Sequence, residues 1–243
     1  MTTHRKRLLW VSSLLVLLWI APAFAADEPA AEEPAFTPPA GLEQGWYTRI
    51  QTRMGDIIAR LLPRQAPQSV AHFVGLSQGT LPWTDVVSGE TVAYPYYDGM
   101  MIHTVIAGRL FETGDAGSMG RSMPLLFVPD EGFAPLNFSM PHMMGMTRMG
   151  GGRTSAVKFF VTIAAQPWLN RENPCFGQVI EGKEVLYNIS QVKTYPNRRP
   201  IEDLLIDKID VFAIGDPAPI PEPVVFKPQR KQVEFRGKTD TSE

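Results

Sequence analysis

Cysteine is nearly absent from this 243-residue chain, where Cys175 stands alone. A single thiol excludes an intramolecular disulfide and any metal site built on several cysteines. Flanked by Pro174 and Phe176, it reads as a small buried hydrophobe. A basic excess is also missing: 23 Lys and Arg stand against 25 Asp and Glu, a net charge of −2. The chain therefore lacks the electrostatic footprint of a nucleic-acid binder. His72, His103 and His142 form no i, i+4 pair and read as structural side chains rather than metal ligands. Gly150-Gly151-Gly152-Arg153 lacks the Gly-Lys-Ser/Thr ending of a phosphate loop, and Ser118 and Ser122 sit in no nucleophile motif. What is present is ordinary for a globular protein, 44% hydrophobic and 20% charged, with enough length for one domain and its extensions.

The two ends differ in composition from the middle. His4-Arg5-Lys6-Arg7, the apolar run Leu8 to Ile20 and the small residues Ala23 and Ala25 around Phe24 have the layout of a secretory signal peptide over residues 1–25. Thirteen residues are too few to span a bilayer, which takes about 20. Cleavage after Ala25 is the expectation. It removes Arg5, Lys6 and Arg7, leaving 20 cations against 25 anions in a mature protein placed in the periplasm. Residues 26–45, rich in Ala, Pro and Glu, read as a flexible linker. Residues 215–243 read as a Pro-rich and charged disordered tail, with a globular domain over 46–214 between the two.

Inside that domain the punctuation is that of a mostly β structure. Tyr47 to Thr52 alternates, Met54-Gly55-Asp56 is a turn signal, and Ile57 to Leu62 is a second short run, together an opening hairpin. Further strands are expected at 101–106, 145–149, 158–162, 176–180 and 204–212. Two helices are expected. One starts at Pro67, with Val70, Phe73, Val74 and Leu76 on one face; the other spans 182–192, with Val185, Leu186 and Ile189. Residues 77–94 read as irregular, and the methionines from Met140 to Met149 as divided between core and loop. Many short strands, two helices and long loops point to a small closed barrel.

Several segments, taken in order, carry a family resemblance. Thr52 to Ile57, Ala66-Pro67 and Val70-Ala71-His72-Phe73 come first. Tyr97-Asp98-Gly99, Ile102-His103-Thr104-Val105-Ile106 and Gly114-Asp115 follow, then Phe159-Phe160-Val161, Trp168-Leu169 and Phe176 to Gly182. This ordered set resembles the cyclophilin-type prolyl isomerases, and the insertion Trp83 to Pro95 resembles a longer loop of some bacterial members. The resemblance implies a closed eight-stranded antiparallel barrel capped by two α-helices, with its active surface on the outside. It also implies rotation of the peptide bond before proline, a reaction that needs no metal or cofactor. Proline-containing segments of exported proteins are the expected partners.

By position, Leu110, Phe160 and Leu169 correspond to the family's apolar proline pocket, with Trp168 beside it, Gly150 at a substrate-contacting small residue and Asn173 near a family histidine. The polar half departs from the pattern. Thr104 stands where the family has its catalytic arginine, Arg109 replaces a phenylalanine, and Glu112 and Lys158 replace two glutamines. Two readings follow. In one, Arg109 or Lys158, oriented by Glu112, supplies the missing cation and the protein is an isomerase of reduced activity. In the other, the surface binds proline-containing or unfolded segments without accelerating rotation.

Overall fold

The computed structural model describes residues 36–85, 88–119, 126–129, 131, 137–149 and 152–225. The expected signal peptide, most of the linker, Gly150 and the end of the tail lie outside them. Eleven strands and two helices follow one another: β1 Gly45–Thr52, β2 Gly55–Leu61, α1 Pro67–Gln78, β3 Trp83–Thr84, β4 Thr91–Val92, β5 Met100–Ile106, β6 Leu110–Thr113, β7 Phe127–Val128, β8 Met143–Arg148, β9 Thr154–Thr162, β10 Cys175–Glu181, α2 Lys183–Ser190 and β11 Leu205–Ile214. Every pairing is antiparallel, and neighbours run β6-β5-β11-β1-β2-β10-β8-β9. β6 also pairs with β9, which closes eight strands into a barrel. Short β7 lies outside the ring, on the first residues of β9.

Alternation divides each strand between the interior and the outer wall. Ile50, Ile57, Ala59, Ile102, Val105, Phe111, Met144, Met146, Val157, Phe159, Val161 and Phe176 point inward into one core. Both helices add an apolar face to it, Val70, Phe73 and Leu76 from α1 and Val185, Leu186 and Ile189 from α2. At the centre the Phe73 ring meets Phe159 edge-on at 5.4 Å and packs on Phe176 at 5.2 Å, arrangements that aromatic quadrupoles favour. Pro67 opens α1 with a fixed φ and no orphan N–H. The next two amides, of Gln68 and Ser69, donate to the carboxylate of Glu131 at 2.7 and 2.9 Å. A residue far along the chain thus does what an N-cap side chain would do.

Two stretches expected to be irregular carry order. β3 and β4 form a small hairpin within the 77–94 stretch, and buried Trp83 packs edge-on against Tyr94 and Tyr96, at 5.2 Å from each. After β11 the chain continues along the domain. Gln44 donates to Asp216 O, the Trp46 indole donates to Ala218 O at 2.9 Å, and Ile220 packs against the core. The Gln68 amide holds the backbone farther on, donating to Glu222 O and accepting from Val224 N. The reading of a free tail from 215 therefore does not describe residues 216–224. Their prolines cannot donate, but their carbonyls can be caught by side chains that composition alone does not reveal.

Candidate active site

The strand register lays one row of residues across the outer wall. Thr104 on β5 pairs with Glu112 on β6, Glu112 with Phe160 on β9, Phe160 with Gly145 on β8, and Gly145 with Cys175 on β10. Paired residues present their side chains on the same face, so this row has a polar end at Thr104 and an apolar end at Cys175.

The apolar end is a cluster distinct from the barrel core. Phe138, Met143, Phe160 and Cys175 are buried in it, and half-buried Leu110 and Leu169 pack on its open side. Leu110, Phe160 and Leu169 thus meet, and they meet outside the barrel. The Phe138 and Phe160 rings pack at a tilt, their centroids 5.1 Å apart. Gly145 makes room for them: a Cβ there would overlap Phe160 Cζ and lie 2.5 Å from Phe138 Cζ. Burial pushes the Cys175 thiol up to about 12, so it serves as an inert part of the floor. Sequence reading missed Phe138, Met143, Gly145 and Cys175 as members. The alternation of Met143-Met144-Gly145-Met146 carried a signal for the β8 pair, whereas nothing local marked Phe138.

A turn of 3₁₀ helix, Pro167–Leu169, forms one lip. It is fastened to the chain before β8 from both sides: Gln166 N donates to Phe138 O at 2.6 Å, and Phe138 N donates to Asn170 Oδ1 at 2.8 Å. This sets Leu169 on the cluster and leaves Trp168 58% exposed beside it. The guanidinium of Arg109 lies over the Trp168 ring, 5.7 Å from its centroid, so the cation is engaged at the rim. Asn173 is buried with both polar atoms in use. Its Oδ1 accepts from Arg148 N at 3.0 Å and its Nδ2 donates to Leu169 O at 3.3 Å, which makes it a bracket between the lip and β8.

The polar end is a closed set of charges. Lys158 Nζ lies 3.2 Å from Asp115 Oδ2 and 3.6 Å from Glu112 Oε1, and its side chain is 17% exposed. The Thr147 hydroxyl donates to the same Glu112 oxygen at 2.8 Å. Glu112 and Lys158 are therefore brought together as the sequence implied, with Asp115 as an unforeseen third member. Thr104 Oγ1 is 2.9 Å from His103 Nδ1. Burial lowers the His103 pKa, against the pull of the Glu112 charge in the opposite direction. Arg148, which the sequence reading did not single out, is a further cation on this wall, and it is held 3.5 Å from Glu172. Among the described residues no group of three His, Cys, Asp or Glu is placed to hold a metal ion.

Such a wall can seat a compact apolar ring in the notch and lay the adjoining polar backbone over Thr104, Glu112 and Lys158. Residues 47–211 match the family model described as cyclophilin type peptidyl-prolyl cis-trans isomerase/CLD. The chain is 36% identical over 164 residues to peptidyl-prolyl cis-trans isomerase A of Mycobacterium tuberculosis, covering 67% of this chain and 90% of the relative. To isomerase B of Streptomyces anulatus it is 34% identical over 168 residues, 68% and 95% of the two lengths. A crystal structure of a Cryptosporidium parvum cyclophilin, determined in the presence of the dipeptide Ala-Pro, superposes with a TM-score of 0.56 at 26% identity, over 68% of this chain and 98% of the other.

Proposed function

Because this chain belongs to the cyclophilin-type peptidyl-prolyl cis-trans isomerase family, we propose that it rotates Xaa–proline bonds in exported proteins, at a rate lowered by Thr104. The observation that carries the reading is the apolar notch of Leu110, Phe160 and Leu169, which lies apart from the core with Leu110 and Leu169 half-buried on the outer wall. Rotation about an amide has a barrier of about 18–20 kcal/mol because resonance must be broken. An enzyme lowers it by gripping the proline ring while the flanking backbone twists, and by binding the twisted amide better than either planar form. Leu110, Phe160 and Leu169 provide the grip, and Trp168 with Arg109 forms its rim.

The lowered rate follows from the polar half. A threonine hydroxyl offers one donor where the family's arginine offers five in a fixed fork. Loss of one preorganised donor costs roughly 10²–10³ in rate at comparable sites. Lys158 replaces it poorly, because its charge is already matched by Glu112 and Asp115. Arg109 is engaged over Trp168. The same pairing of charges favours a second reading, a module that binds prolyl segments without turning them over. Export to a periplasm rests on the basic, apolar and small-residue layout of residues 1–25, and a mature N-terminus at Ala26 in the envelope fraction would support it.

Magnetisation-exchange NMR on an Ala-Pro peptide, which needs no protease, tests the reading. Wild type is expected to accelerate exchange, and Thr104→Arg to raise kcat/KM at least tenfold. A wild type that binds the peptide without accelerating exchange, beside an active Thr104→Arg, establishes the binding module instead. Absence of both binding and exchange in either protein sinks both readings.

A further inference from the structure

We propose that His103 is a positioning residue for prolyl isomerisation: its Nδ1 decides whether the Thr104 hydroxyl can give its proton to a bound prolyl peptide. The inference rests on the isomerase reading above and assigns the hydroxyl a state in which it can act. It starts from an irregularity in β5. Ile102 pairs with Thr113 and Thr104 with Glu112, so two steps along β5 match one along β6, and His103 is the extra residue of a bulge. The other edge of β5 shows the same break. Ile102 N donates to Leu204 O at 2.8 Å and Val105 N to Arg198 O at 2.9 Å, although a regular strand returns its amides to one edge every second residue. Ile102 and Val105 both enter the core, which turns His103 and Thr104 together out of it. Both are half-buried, and there they bond, with Nδ1 2.9 Å from Oγ1.

A threonine hydroxyl has one proton to give. When Nδ1 is bare, that proton goes to the imidazole and none is left for the peptide. When Nδ1 carries a proton, it donates to Oγ1 instead, and the hydroxyl is free to donate to the twisting amide. The second ring nitrogen leaves the choice open. Nε2 is buried and has no hydrogen-bond partner among the described residues, so no bond on that side fixes the tautomer. Burial and charge then decide. Burial disfavours the imidazolium most, and Lys158 on β9 adds to that, whereas Glu112 on β6, Asp115 beyond it and the Thr113 carbonyl favour it. The balance leaves the pKa below 6.5. In the imidazolium both nitrogens are protonated, so the donating form of Thr104 fills as pH falls below that value.

A pH profile separates this role from a structural one. Exchange NMR on the Ala-Pro peptide should show wild-type kcat/KM rising about threefold or more from pH 8 to pH 5, with peptide affinity level because the notch is apolar. His103→Asn keeps an amide beside Thr104 that does not titrate, so its rate should be the same at both ends of the range. Thr104→Val, which has no hydroxyl to release, should be slower than wild type and equally level. Imidazole ¹⁵N spectra, with the His103 signals identified by their loss in His103→Asn, should place Nδ1 protonation at the midpoint of the rate profile. A level profile in an active wild type, or a rise that persists in Thr104→Val, overturns the proposal and leaves the isomerase reading intact. A wild type without isomerase activity at any pH overturns both.

Discussion

Phe159 and Phe160 are neighbours in sequence and belong to different parts of the molecule. The Phe159 ring is enclosed in the barrel, edge-on to Phe73 at 5.4 Å, to Tyr97 at 5.3 Å and to Phe176 at 6.3 Å. The Phe160 ring lies on the outer wall against Phe138, in a cluster on which Leu110 and Leu169 pack with their own outer sides exposed. Both clusters are apolar and draw on the same strands. What distinguishes them is the surface that half-buried Leu110 and Leu169 present to solvent, since a cluster enclosed all round offers no apolar face to a guest. The strand period of two thus assigns one phenylalanine to stability and the next to binding. The largest effect expected from breaking this division is on the inner ring. Phe159→Ala should lower unfolding free energy by about 3–5 kcal/mol in urea titration, whereas Phe160→Ala should cost less and abolish prolyl-peptide affinity. Equal stability losses, with peptide binding intact in Phe160→Ala, would make the outer cluster plain core.

Gly145 tests the same division by filling space. A methyl group there collides with the Phe138 and Phe160 rings, and overpacking of this kind costs about 1–3 kcal/mol. Gly145→Ala should therefore show a moderate drop in urea midpoint together with a larger loss of peptide affinity, as the rings are pushed into the notch. An unchanged affinity would mean that the notch accommodates the methyl elsewhere.

The barrel was legible in the sequence because alternation and turn glycines are local signals. Every strand that reads as a run of alternating residues was placed to within a few positions, and both helices start where Pro67 and Gly182 put them. β6 was harder to read. At four residues, Leu110–Thr113, it is too short to show a period, yet it closes the ring through its pairing with β9. The meeting of Leu110, Phe160 and Leu169 came from family resemblance, whereas Phe138 and Cys175 reach the notch only through register and tertiary folding. Charge pairing was the least legible part. Asp115 lies two residues past the end of β6 and gives no hint that it will lie 3.2 Å from Lys158, and the link between Arg198 and Val105 spans a distance no local pattern reports.

The interior and the wall should also answer differently to acid. His72 is fully buried on α1, its Nδ1 2.9 Å from Gln68 O, and burial lowers its pKa below 6.5 against the pull of Gln68 O and the Glu131 charge. His103, next to Thr104, is lowered in the same sense. A histidine with a depressed folded pKa takes up its proton first in the unfolded chain, so the stability it contributes is present above about pH 6.5 and declines below it. Urea midpoints between pH 8 and pH 5 should fall on the acid side, and His72→Leu should flatten part of that slope. A profile level through this range would show that neither ring resists protonation.

The smallest effect is expected at the rim, where Arg109 stands in place of the family's phenylalanine. Its guanidinium lies 5.7 Å from the centroid of a Trp168 ring that is 58% exposed, and a cation–π contact in so wet a setting contributes about 0.5–1 kcal/mol. Its stem can still cover apolar surface at the notch mouth while the charge stays in water. Arg109→Phe therefore exchanges a weak polar contact for apolar area facing the proline. It should tighten peptide binding a few-fold by isothermal titration and leave the urea midpoint nearly unchanged, since Arg109 is exposed and no core residue depends on it. Weaker binding in Arg109→Phe would instead place the guanidinium on the peptide itself, moving the rim from the apolar half of the wall to the polar half.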